Sequence, residues 1–282
     1  MTIVSPGNRD RKLASLFHDQ SRIVVMGVVN VTPDSFSDGG QFLSADKAVD
    51  HALKLIDEGA DIIDIGGEST RPGAERVENA EQLRRVIPVI SRLASESTVP
   101  LSIDTSIAVV ARAALSAGAS IVNDISGLTD DSEMAKTVAD YDAGLVLMHK
   151  RGEPGTMQLD TRYESLVDEI TQFLSDAADR AVRAGVDPGK IMIDPGIGFG
   201  KDLAGNVEIL KSIGSFVRLG YPVLIGASRK SFVGQITGAD AANRLYGSLA
   251  AAVVAVINGA TAVRVHDVKE TRQAVDIAVR LR

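Results

Sequence analysis

Gly185-Val186-Asp187-Pro188-Gly189-Lys190-Ile191-Met192-Ile193-Asp194 is one unit of a pattern that recurs along the chain. A glycine closes a helix-like segment, a short link follows, and an apolar, β-rich run ends on a polar residue. Glycine just past a helix takes the left-handed conformation without steric cost, so Gly59, Gly118, Gly144, Gly185, Gly220 and Gly259 each read as a helix stop ahead of a strand. The apolar runs fall at 23–30, 61–66, 100–104, 120–124, 145–149, 190–194, 222–226 and 261–266. Their starts recur about every 34 residues, which is room for a strand, a helix and two short loops. Ile62-Ile63-Asp64-Ile65 and Ile191-Met192-Ile193 do not alternate apolar with polar, as strands covered on both faces should not. Eight such units predict a (β/α)8 TIM barrel, an α/β single domain, ahead of an open doubly wound sheet.

The segments between the runs carry helical spacing. Leu166, Ile170, Phe173, Leu174, Ala177, Ala181 and Val182 fall on one stripe, with Thr161 and Glu164 as a capping box before it and Gly185 after it. The stretch 249–257 is apolar all round, and an outer barrel helix with no wet face points to a subunit contact, hence a homodimer, the alternative being cover by the amino-terminal arm. That stretch is about half of what a membrane span needs.

The net charge of −7, with no block of Lys or Arg, repels polyanions, so no nucleic acid partner is expected and any phosphate must be gripped locally. The absence of cysteine removes disulfides, thiolate nucleophiles and cysteine metal ligands. A mean hydropathy of +0.10 suits a globular fold. Residues 1–20 lack the basic start and apolar run of a secretory signal, so 1–22 reads as a loose amino-terminal arm before a barrel at 23–282, with cytoplasmic residence as the default.

Polar residues gather where a barrel keeps its chemistry. Asn30, Asp64, Asp104, Asn123, His149, Asp194, the Ser228-Arg229-Lys230 group, and Arg264 with His266 all fall at strand ends. A single aspartate there would be a turn or cap residue, but eight ends together favour a site. Asp64 alone keeps the structural reading, because Ile65 and Gly66 lie beyond it. Arg264 and His266, two apart on a strand, share a face and suit a phosphate or pyrophosphate, the alternative being Arg264 paired with an acidic neighbour such as Asp267. Asp104, Asn123 and Asp194 converge from three strands and offer acceptors to a flat ligand with an N–C–N donor edge. A cage of charged metal ligands is disfavoured, Asn30 being the one obvious neutral oxygen near the phosphate position. The glycine-rich loops 32–40 and 66–73 read equally as closing lids or as plain mobile loops, and neither fits a dinucleotide or P-loop pattern.

Several segments, in this order, resemble the dihydropteroate synthase family of the folate pathway. They are Asn30-Val31-Thr32-Pro33-Asp34-Ser35-Phe36-Ser37-Asp38-Gly39-Gly40, Gly67-Glu68-Ser69-Thr70-Arg71-Pro72-Gly73, Met148-His149-Lys150-Arg151-Gly152 and Asp194-Pro195-Gly196-Ile197-Gly198-Phe199-Gly200-Lys201. Ser228-Arg229-Lys230-Ser231-Phe232 and Arg264-Val265-His266-Asp267-Val268 complete the set. The resemblance implies condensation of a dihydropterin-methyl pyrophosphate with 4-aminobenzoate, Mg2+ as cofactor, and sulfonamides as a class of inhibitor. It implies that Asp104, Asn123, Asp194 and Lys230 hold the pterin and that Thr70, Arg264 and His266 surround the pyrophosphate. It further implies Asn30 as the magnesium ligand, and Phe36, Arg71, Pro72, Phe199 and Ser231 as the aminobenzoate wall. Within that set Asp194, Lys230, Arg264 and His266 are the expected catalytic residues. A pterin-dependent methyltransferase, which needs no pyrophosphate site, and a non-catalytic pterin-binding paralogue are the competing readings.

Overall fold

Among the described residues eight strands lie parallel in one sheet: β1 Val24–Asn30, β2 Ile62–Gly66, β3 Leu101–Asp104, β4 Ile121–Asp124, β5 Gly144–Met148, β6 Ile191–Asp194, β7 Leu224–Ile225 and β8 Ala262–Val265. Their order is β6-β5-β4-β3-β2-β1-β8-β7, and a parallel bridge between Ile193 and Val223 joins the two ends, so the sheet closes into a barrel. The computed structural model describes residues 16, 17, 19, 21–31, 41–69, 77–153 and 155–282. The helices are α1 Gln41–Asp57, α2 Asn79–Glu96, α3 Ala108–Ser116, α4 Met134–Asp140, α5 Leu166–Arg183, α6 Leu203–Lys211, α7 Ile213–Val217, α8 Ser231–Thr237, α9 Leu245–Ile257 and α10 Val268–Leu281.

Alternation along each strand splits its side chains between two cores. Outward residues such as Val25, Ile63, Leu101, Leu145 and Ile191 meet the helices, Leu55, Ile90 and Leu174 among them, in the larger one. Inward residues near the strand starts, Val24, Met26, Ile62, Ile121, Val146, Met192, Leu224 and Ala262, fill the lower barrel. Phe17 joins this inner cluster and is buried, so the arm is not loose at that point: its ring closes the amino-terminal end of the barrel. On β2, β4, β6 and β8 the inward position two residues further up is polar, at Asp64, Asn123, Asp194 and Arg264, and Asp104 ends β3, whereas Val28 on β1 and Met148 on β5 stay apolar.

Three local expectations shift. The left-handed stop before β5 is Asp142 (φ 50), not Gly144, which is already the first strand residue. Aspartate tolerates this conformation better than most residues because its short polar side chain bonds locally. The capping box at Thr161 and Glu164 does not form: Ser165 is the N-cap of α5 without a side-chain cap bond, and the Glu169 carboxylate accepts from the backbone N–H of Glu164 (2.8 Å) and Ser165 (3.1 Å). With Asp168 and Glu169 both in the first turn, the negative charge sits at the positive end of the helix. On the same helix Val182 is exposed and Ala178 takes the buried place, because the 3.6-residue turn rotates Val182 off the stripe.

Helix α9 buries Ser248, Ala251, Ala252, Ala255 and Val256, while Tyr246, Val254 and Ile257 stay exposed beside Ile277 and Leu281 of α10. No helix of the described residues is long and apolar enough to cross a membrane.

Candidate active site

Asp64 anchors the floor of the cup above the apolar layer. It is fully buried and two residues beyond Ile62 on the inward face of β2. Its Oδ2 accepts from Arg264 Nε at 2.7 Å and from Asn123 Nδ2 at 3.0 Å. Arg264 Nη2 donates in turn to Asp104 Oδ2 at 2.7 Å. One carboxylate thus orients the guanidinium from β8 and the amide from β4, while a second holds the other arm of the fork. Asp64 has the structural hydrogen-bonding role expected of it, and the pairing of Arg264 with acidic neighbours is present, with Asp64 and Asp104. Asp267 does not pair with Arg264; it pairs with Arg229, Nε to Oδ2 being 3.0 Å.

Burial works to lower the Arg264 pKa, but attraction to Asp64 and Asp104 outweighs it and the group is held above its ordinary value. Burial raises the Asp104 carboxyl to about 7 against the pull of Arg264. Asp194, at the end of β6, is pushed up by burial to about 6, opposed by the Gly196 N–H that donates to its Oδ1 at 2.7 Å and by Lys230. Lys230 is lowered to about 8 by burial and by Arg264, with Asp194 and Asp104 acting the other way. Two carboxyls raised and one ammonium lowered towards neutrality, on one concave face, is the pattern of a working site.

Two glycines keep the cup open. A Cβ on Gly226, just past β7, would stand 3.9 Å from both Asp194 Oδ2 and Arg264 Cβ, so those two side chains border one small space. A Cβ on Gly66 would stand 3.7 Å from Asn30 Oδ1 and 3.8 Å from Asp104 Oδ2. The wall is apolar: Phe199 clusters with Met148, Met157 and Ile125, and Lys230 Nζ lies 4.1 Å from the centre of the Phe199 ring. Beyond Arg264, His266 Nδ1 is 3.1 Å from Ser228 Oγ, and the backbone N–H of His266 donates to that oxygen at 3.2 Å. Arg229 adopts φ 57, with its N–H donating to Ser248 Oγ, and this left-handed step separates Ser228 from Lys230. Ser231 is exposed at the start of α8.

The structure therefore brings Asn30, Asp104, Asn123, Asp194, Lys230, Phe199, Arg264 and His266 to the carboxyl-terminal mouth. Phe36, Thr70, Arg71 and Pro72 lie outside the described residues, as do the segments 32–40 and 70–76. Among the described residues no three His, Cys, Asp or Glu side chains form a metal-binding group.

A model of the family described as pterin binding enzyme matches residues 26–266, the barrel from β1 to the end of β8. The chain belongs to the pterin-binding enzymes. It is 48% identical over 265 residues to a dihydropteroate synthase of Synechocystis sp., covering 94% of this chain and 92% of that one. The crystal structure of Yersinia pestis dihydropteroate synthase with a sulfonamide drug superposes with a TM-score of 0.88 at 44% identity, over 93% of this chain and 95% of that one. Xanthomonas albilineans dihydropteroate synthase with 4-aminobenzoic acid gives a TM-score of 0.87 at 46% identity, over 93% and 94% of the two chains.

In this pterin-binding enzyme the loop after β6 is clamped from outside the cup. Gln158 Nε2 donates to Gly198 O at 2.9 Å, Tyr163 OH to Gly200 O at 3.0 Å, and the Gly198 N–H to Asn206 Oδ1 at 2.6 Å. The backbone of Gly196, at φ 74, runs so close to β5 that a Cβ there would lie 1.9 Å from His149 O. Sequence reading left His149 at a strand end without a task; its imidazole is 2.9 Å from the buried Lys201 ammonium nitrogen, and the glycine spacing of 196–200 was the available signal for such close passage.

Proposed function

We propose that this chain is a dihydropteroate synthase, condensing (7,8-dihydropterin-6-yl)methyl diphosphate with 4-aminobenzoate to give 7,8-dihydropteroate and pyrophosphate. The observation that carries the reading is the cup itself: buried carboxylates at Asp104 and Asp194 and an amide at Asn123 face the same space as Lys230 and Arg264, in a chain of the pterin-binding family. A flat ring with an N–C–N donor edge lies against Asp194 through two parallel hydrogen bonds, with Asn123 and Asp104 completing its edge. Phe199, Met148 and Met157 supply the apolar face.

The methylene C–O bond breaks with its electron pair leaving on the pyrophosphate. The positive charge left on the methylene spreads into the dihydropterin ring, which the Asp194 carboxylate stabilises. Arg264 and His266, on one face of β8, hold the departing anion. The lone pair of the aminobenzoate nitrogen forms the new C–N bond and the amine proton passes to solvent or to the pyrophosphate; an arylamine needs no strong base to free that pair. Positioning and electrostatics account for the rate, which fits a site without a Ser-His-Asp or cysteine arrangement. Phe36, Thr70, Arg71, Pro72 and Ser231 belong to the aminobenzoate and pyrophosphate side of this reading, which a sulfonamide would share.

Magnesium fits the donor set on one condition. Asn30 Oδ1, a neutral oxygen facing the space above Gly66, offers one protein ligand, and an ion that retains waters and takes substrate phosphates needs no more than one or two. When bound it supplies Lewis-acid neutralisation of the pyrophosphate. We read the exposed apolar side chains of α9 and α10 as a homodimer contact and the enzyme as cytoplasmic.

The test supplies dihydropterin-methyl diphosphate, 4-aminobenzoate and magnesium and measures pyrophosphate and dihydropteroate together. Equal release of both is expected. Pterin binding with neither product would overturn the reading in favour of a storage or sensing paralogue.

A further inference from the structure

Lys201 lies at the far end of the Asp194 loop, 2% exposed, and forms no ion pair among the described residues. Its Nζ sits 2.9 Å from His149 Nδ1, 2.9 Å from Phe199 O and 3.3 Å from His149 O. An ammonium has three hydrogens, and here it meets three acceptors. Burying such a group without a carboxylate partner is costly, so fold stability alone favours a hydrophobic residue in its place.

The contacts run straight to the site. His149 donates its backbone N–H to Asp194 O at 3.0 Å, so the residue that Lys201 grips by its carbonyl also holds the strand end that carries the carboxylate. Gly196, whose backbone crosses the same His149 carbonyl, donates to Asp194 Oδ1, and Phe199 N–H closes the turn on Gly196 O at 3.2 Å. One nitrogen therefore ties the end of β5 to both ends of the turn that aims Asp194 and Phe199. The charged neighbours of Lys201 are Asp194, Lys230 and Arg151, and those of Asp194 are Lys230, Lys201 and Arg264.

We propose that Lys201 is a positioning residue for the pterin grip: through its bonds to His149 and Phe199 it fixes the turn that aims the Asp194 carboxylate. It touches neither substrate. The proposal rests on the pterin-binding reading of the cup and not on turnover.

The test measures binding of 6-hydroxymethylpterin by wild type, Lys201→Met, which keeps length without donors, and Lys201→Gln, which keeps a donor if the methionine variant does not fold. Affinity at pH 7 is expected to fall about tenfold or more. Lys201→Gln, which can still donate to Phe199 O, is expected to recover part of the affinity lost in Lys201→Met. Affinity within about twofold of wild type in the folded variants, or a loss as large in Lys201→Gln as in Lys201→Met, overturns the proposal; the second result marks a lysine that fills space and does not aim the turn. Wild type that binds the pterin but makes no dihydropteroate removes the synthase reading and leaves this one standing.

Discussion

Asp194 illustrates how a single residue trades stability for binding. Its folded pKa of about 6 lies above the ordinary value of 3.8. Between those values the folded chain holds a proton that the unfolded chain releases, so this group's contribution to stability is present below pH 3.8 and is lost as pH rises through about 6. At neutral pH the cost is on the order of 3 kcal/mol. Asp194→Asn keeps an oxygen for Gly196 N–H and removes that cost, so its melting temperature should rise by a few degrees while pterin affinity collapses; calorimetry and a pterin titration on one preparation check both. The same titration in wild type should weaken as pH falls through about 6, and the asparagine variant should lack that limb. Arg264 is the opposite case. Removing it leaves the Asp64 and Asp104 carboxylates without their shared cation, so Arg264→Ala should lose about 3–5 kcal/mol of stability in denaturant titrations. Its kcat should fall about 100-fold or more. Normal turnover in that variant would end the assignment of Arg264 to the leaving pyrophosphate.

Elements, more than residues, decide which of these side chains meet. The strand-and-glycine period made the barrel legible, since each run of apolar residues had to be covered on both faces and each helix had to stop. The polar ends of β1, β3, β4, β6 and β8 were legible for the same reason: nothing in an apolar strand explains Asp104, Asn123 or Arg264. The structural role of Asp64 was legible from its place inside β2, but its partners Asn123 and Arg264 were not, because they come from strands distant in sequence. The Lys201 and His149 contact escaped because it depends on how two loops cross, which no period encodes. Gly196 is where that crossing is tightest, and its left-handed φ of 74 adds strain for any side chain. Gly196→Ala should therefore push the β6 loop off His149 and cut pterin affinity at least about tenfold, whereas Gly220→Ala, with nothing within 4 Å of its Cβ, should bind normally. Equal affinities in the two variants would show that the crossing does not matter to the ligand.

At the scale of the molecule, the barrel divides into a dry lower half and a charged upper half, and the two should fail independently. Phe17 closes the lower half, and Phe17→Ala should cost about 3–5 kcal/mol while leaving the Michaelis constants unchanged, since the hole it opens faces away from the cup. A shift in those constants would mean that packing at the base reaches the mouth. The circumference is uneven too. Strand β7 has only two residues and meets β6 through the single bridge of Ile193 and Val223. Like a cask drawn together with one short stave, the cylinder has its thinnest seam between the strand that carries the carboxylate and the strand that leads to the lysine, so backbone amides there should trade their hydrogens with water sooner than those elsewhere around the hoop.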